Sequence, residues 1–171
     1  MVEDVLKEVR TAVETNLPAL LDAEDTAYAA ADVTEFGAGH AIVLEDIVTI
    51  RFEEYAELQL QEYPALFLLP RGTEDRPMLH NQTNLAHTVD VIVLVVDTDP
   101  RKVARRLFRT VEALRRMLTT NVEGTGTASD PTFQVDIVNV AYGPNAQTEW
   151  GGGLEKGATM TITLVELEDR P

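Results

Sequence analysis

The chain has no cysteine. This excludes disulfides, thiolate metal sites and cysteine nucleophiles together, and leaves the redox compartment unreadable. Serine occurs once, at Ser129, in a Gly/Thr/Ala loop without a nucleophile-elbow pattern, so serine catalysis is not expected. Only three histidines are present, His40, His80 and His87. The last two share a polar stretch with no third ligand at diagnostic spacing and are read as surface or partly buried side chains. Asp97 and Asp99 suit helix capping better than a cation site. Gly124-Thr-Gly126 and Gly151-Gly-Gly153 lack a Walker lysine and are read as hinges. No catalytic constellation emerges, and neither a cofactor nor a metal is expected. No apolar run reaches the roughly 18–20 residues of a membrane span. The N-terminus is acidic and amphipathic, without the basic and apolar regions of a signal peptide, so a soluble, unexported protein is expected.

Positive charge is also scarce. Lys and Arg number 14 against 29 Asp and Glu, giving a formal charge of −15 and a pI near 4.4. A uniformly acidic surface disfavours nucleic acid and anionic membranes. With 171 residues and 44% hydrophobic content, the chain fits one globular domain spanning residues 1–171.

The patterning predicts an α+β fold. Val2, Val5, Leu6, Val9 and Val13 give residues 2–15 a helical stripe, which Pro18 should kink or restart before it ends near residue 23. Residues 22–40 read as a loop, within an excursion extending to about 62. Residues 41–52 look extended, and 53–62 fit a helix turn or an edge strand equally well. Residues 63–70 form a strand between prolines, and 71–84 a mobile loop. Val89–Val96 is apolar on both faces, as in a central strand. A helix follows from about 100 to 119, with Thr98 or Asp99 as cap and Pro100 in its first turn. Residues 133–142 form a strand with a bulge near Val138-Asn139, 143–157 a second mobile loop, and the alternation around Met160, Ile162 and Leu164 a last strand. Runs of strands with segregated helices predict a mostly antiparallel sheet of about four to five strands, with two main helices packed on one face.

Charge placement is the strongest signal. Residues 101–120 hold seven of the 14 basic side chains and one acid, Glu112, a local charge of +6 that leaves −21 on the remainder. On a helical wheel, Val103, Ala104, Leu107, Val111, Leu114 and Leu118 form an apolar stripe, with Phe108 and Met117 at its margins. Arg101, Lys102, Arg105, Arg109 and Arg116 lie opposite. That cationic face has three readings. It is balanced by the protein's own acids, or it meets the acids of a neighbouring subunit, or it lines a ring's bore and touches passing DNA without reading sequence. Trp150, beside three glycines, is either tucked onto the core or a docking anchor.

In length, order and texture the chain resembles the tail terminator (tail completion) proteins of long-tailed bacteriophages. The resemblance rests on an acidic amphipathic first helix (VEDVLKEVRTAVETNLPALL), the short strand YPALFLLP, a strand running directly into a long helix (HTVDVIVLVVDTDPRKVARRLFRTVEALRRML) and two closing amphipathic strands (TFQVDIVNVAYG and ATMTITLVELED). It implies a small, non-enzymatic α+β subunit that assembles as a hexameric ring. The ring caps the finished tail tube and presents a surface to the head connector. The implied partners are further copies of the chain, the tail tube protein and a connector or stopper protein. The implied location is the tail–neck junction of a virion assembled in the host cytoplasm. The family supplies no motif residues, so the interface or lumen candidates Arg101, Lys102, Arg105, Arg109 and Arg116 come from charge alone. The alternatives are a head-completion or stopper protein of the neck, and a cellular protein-binding module using helix 101–118.

Overall fold

The computed structural model describes residues 2–52, 62–77, 83–122, 132–147 and 153–167. The element order is α1 (Val2–Phe36), β1 (Thr49–Arg51), β2 (Ala65–Pro77), β3 (Thr83–Asp97), α2 (Pro100–Met117), β4 (Thr132–Gln147) and β5 (Leu154–Leu167), with a π-helical turn, Leu118–Val122, extending α2. The five strands form one sheet in the order β1-β2-β3-β5-β4. The short β1 pairs parallel to β2, and all other pairings are antiparallel. The fold is therefore α+β with a mostly antiparallel sheet, as the sequence predicts, and β3 is its central strand.

One sheet face carries Leu66, Leu68, Val89, Val91, Val93, Val95, Met160, Ile162 and Leu164, which share a single core with both helices. From α2 come Val103, Leu107, Val111, Leu114 and Met117, and from α1 come Val5, Leu6, Val9, Val13, Leu17 and Leu21. The opposite face carries a smaller buried cluster, Ala65, Phe67, Leu69, Ile92 and Leu94. Beside it, Asp90 accepts hydrogen bonds from Arg71 (2.6 Å) and Thr161 (2.7 Å). Two-sided burial explains why β3 reads as a continuous apolar run.

β3 and β5 begin earlier than expected, at Thr83 and at Leu154 inside the expected loop 143–157, and four other elements differ from the sequence expectation, each for a local reason. The first helix does not end near residue 23. It passes through Pro18 and runs to Phe36. Alanine is frequent between 19 and 31 and favours helix, and Glu24 and Asp32 are buried there in ion pairs described below. Gly37, with φ of +93°, ends it, its amide bonding Val33 O at 3.0 Å, as in a left-handed C-terminal cap. Only Thr49–Arg51 of the extended 41–52 reading is a strand. The segment before it is tied to α1 by carboxylates instead, with Ile42 N donating to Asp32 (3.2 Å) and Leu44 N to Asp25 (2.8 Å).

Strand β2 crosses Pro70 and continues to Pro77, so the expected loop 71–84 is largely a hairpin arm, of which residues 78–82 lie outside the described residues. A register shift between Pro70 and Gly72 absorbs the proline, and β2 has already lost its β1 partner there, where a missing amide is tolerated. Strand β4 carries the expected bulge between Ile137 and Asn139, and a second irregularity between Tyr142 and Asn145 takes it past Pro144 into the expected loop 143–157. Residues 53–61 and Trp150 lie outside the described residues.

Candidate interaction surface

Helix α2 starts where the sequence places it. Asp99 is its cap, accepting from Arg101 N at 2.8 Å, and Asp97 accepts from Asp99 N at 3.0 Å. The hydrogen bond from the Arg101 side chain holds the Asp99 carboxyl below its usual range. From this fixed start the apolar stripe of α2 turns to the sheet, and its cationic face falls against the second half of α1.

The two helices run antiparallel there, joined by a ladder of ions. Arg116 Nη1 lies 2.6 Å from Glu24 Oε1, and Glu24 is buried. Arg109 forms a bidentate pair with Asp32, at 2.6 and 2.7 Å, and its guanidinium lies 4.6 Å from the Tyr28 ring centre. Arg105 bonds Glu35 and lies 4.0 Å from Asp32. At the end of the ladder the Phe36 ring is flanked by Arg101, Lys102 and Arg105, at 5.3, 5.4 and 5.2 Å from its centre. Cations over an aromatic face are attracted to its quadrupole. The last turn of α1 holds no basic residue of its own, and these three cations stand near the negative end of its dipole. On the other flank Arg106 reaches Asp97 (2.8 Å) and Glu45 (3.3 Å).

Asp32 is the centre of this arrangement. It is fully buried and accepts two bonds from Arg109 and one from Ile42 N. The Arg109 hydrogen bond, opposed by burial, holds its carboxyl below the ordinary value. Asp25, two turns earlier and partly buried, shifts the other way because loss of solvent outweighs the Leu44 amide.

The sequence-derived candidates thus divide. Arg109 is buried inside the subunit, and Arg105 and Arg116 are engaged by α1 of the same chain. Four of the seven cations of α2 reach acids beyond the helix and its cap: Arg105, Arg106, Arg109 and Arg116. The reading that survives best for these is charge balance within the chain. Arg101 pairs locally with Asp99, Lys102 stands over Phe36, and Arg115, not among the candidates, lies 3.7 Å from Glu112 with its side chain well exposed. Sequence reasoning missed Glu24, Tyr28 and Asp32. Their signal was a spacing of four residues carried by polar and aromatic side chains, where only apolar periodicity was sought.

Chemistry elsewhere is sparse. His87 is buried with Nδ1 2.9 Å from Thr73 Oγ1, His40 is exposed, and His80 lies outside the described residues. No group of three potential metal ligands occurs among the described residues. A cavity of about 20 Å³ beside Leu44, Tyr63, Val95 and Arg106 has room for one water molecule. No described helix is long and apolar enough to cross a membrane.

No protein-family model and no curated protein matches the sequence. Among solved structures, the chain is similar to one in the virion of a native gene transfer agent particle, with a TM-score of 0.35 and 12% identity over 93% of this chain and 98% of that one. A superposition of that quality transfers neither fold nor function.

Proposed function

We propose that the chain is a non-enzymatic structural protein of a phage virion, forming a ring that terminates the tail tube and joins it to the head connector. The observation that carries this reading is the element order. An acidic first helix, the strand holding ALFLLP, a central strand entering α2 through the Asp99–Pro100 cap and a closing hairpin follow one another on one sheet, in the order that the sequence resemblance to tail terminators rests on. The lateral edges of the sheet support it further. They are unlike, three residues of β1 at one side and sixteen of β4 at the other, and a head-to-tail ring needs two different complementary surfaces. Its partners in this reading are other copies of itself in a hexamer, the tail tube protein and a connector or stopper protein, with incidental contact to DNA in the bore.

The test is assembly. The purified protein, alone and with tail-tube protein from the same genome, is imaged by negative-stain microscopy while tube length is followed. Rings seated on tube ends, with elongation arrested, support the reading. Binding to the portal side without arrest assigns a stopper role instead. A stable monomer indifferent to both refutes a neck protein and favours a binding module, although α2 has few unengaged cations to offer an acidic partner.

A further inference from the structure

Two exposed apolar patches lie on opposite flanks of the helix-bearing face. On the β4 side, Phe108 of α2 and Tyr142 of β4 meet edge to face with ring centres 5.0 Å apart, yet remain 47% and 48% exposed. Arg115 projects from the same side of α2 as Phe108, 3.7 Å from Glu112. Large aromatics held rigid at a half-open surface, with an arginine beside them, are the residue types that dominate protein contacts. On the β1 side, the segment leading into β1 exposes Val43 and Val48, at 61% and 57%, with the acids Glu45 and Asp46 between them. Glu45 pairs with Arg106, which lies about 160° around α2 from Phe108. The first patch is apolar with Arg115 and Glu112 beside it, and the second is apolar and acidic.

We propose that these two patches dock on one another between copies of this chain, the Phe108–Tyr142 face of one subunit against the Val43–Val48 face of the next. The occupant is a second copy because both patches are apolar, the exposed Arg115 beside one is opposite in charge to the exposed Asp46 of the other, and both sit on one molecule. Bulges at both ends of Asn139–Tyr142 break the free edge of β4, which disfavours backbone addition of a further strand and leaves side-chain packing as the mode of contact. A contact between unlike faces does not close on itself as a pair, and it continues until rotation closes a ring. The proposal rests on the ring reading and adds its contact surfaces.

The experiment compares the wild type with Phe108→Glu/Tyr142→Glu and Val43→Glu/Val48→Glu by light scattering after gel filtration, with thermal melts as a check on folding. Each variant alone should self-associate on the order of 100-fold more weakly than the wild type. An equimolar mixture should give a one-to-one heterodimer and nothing larger, because each variant keeps one intact face. The exposed single changes Arg115→Glu and Asp46→Lys provide the same comparison if an aromatic or valine variant misfolds, with association falling and its salt dependence changing. Folded variants that form rings like the wild type overturn the proposed faces and leave the ring reading intact. A mixture without heterodimer overturns the head-to-tail contact. A wild type that stays monomeric even with tail-tube ends overturns both.

Discussion

Substituting Asp32 by Asn removes one charge and almost no volume, and its effect follows from where Asp32 sits. The carboxylate is fully buried and takes both guanidinium contacts of Arg109 at 2.6 and 2.7 Å. Arg109 is itself buried, so Asp32→Asn strands a cation away from water. Breaking a buried pair by removing one partner costs about 3–5 kcal/mol. For a chain of this size each kcal/mol corresponds to about 2–4 °C, so the melting temperature should fall by roughly 6–20 °C. Urea unfolding should show the same loss as a lower midpoint with an unchanged slope. The attraction itself is not the source of that cost, since well-packed apolar replacements of buried pairs are often neutral or stabilising. Asp32→Leu with Arg109→Met should therefore recover most of the stability lost in Asp32→Asn. An Asp32→Asn protein within about 0.5 kcal/mol of wild type, the range usual for surface changes, would refute the ladder as a structural element.

Further outcomes can be checked by similar means. Asp32 has a lowered carboxyl pKa in the folded state, so its contribution is present above the ordinary carboxylate range and lost as pH falls through the folded value; wild-type stability should decline in acid more steeply than that of Asp32→Leu/Arg109→Met, read by urea midpoints from pH 7 to pH 3. Asp25 has the opposite shift, so its burial disfavours the folded state once it is charged; Asp25→Asn, which keeps an acceptor for Leu44 N, should raise the melting temperature slightly at pH 7 and not at pH 3. Gly157→Ala would place its Cβ 2.7 Å from Leu94 Cδ2 and 3.4 Å from Val93 O; overpacking of this kind should cost about 1–3 kcal/mol in denaturant unfolding. Arg105→Glu with Arg109→Glu should destabilise the isolated subunit by circular dichroism, because both positions face α1 carboxylates of the same chain, whereas Arg101→Glu, at an exposed side chain, should leave the melt nearly unchanged.

The parts of the fold that hydropathy organises were legible in the sequence. Helix α2 announces its cap at Asp99-Pro100 and its buried stripe from Val103 to Leu118, and β3 and β5 announce their faces by alternation or continuous apolarity. The second half of α1 was not legible because its buried positions are Glu24 and Asp32, which a search for apolar spacing scores as surface. Their partners lie some 77 to 92 residues downstream on α2, so no local pattern exposes the pairing. Strand ends were misplaced at Pro70 and Pro144 because a bulge or register shift lets a strand continue past a proline, and sequence does not show the shift. For the candidate surface, the excess of cations on α2 was visible and its use was not. Charge counting locates arginines, while geometry shows that Arg109 faces inward and Phe108 outward.

The long first helix is fastened by two different kinds of contact. Up to Leu21 it is held by buried aliphatic side chains, and beyond that by ion pairs and a cation-flanked ring. The outer half can therefore peel away while the aliphatic core stays shut, so amide exchange there should report a separate, shallower opening than in the inner half. High salt weakens the exposed contacts near Phe36, such as Arg105–Glu35, more than the buried Arg109–Asp32 pair, and leaves the inner half's adhesion intact or stronger. The tip of the long helix should therefore answer to the ionic composition of its surroundings more readily than its buried middle.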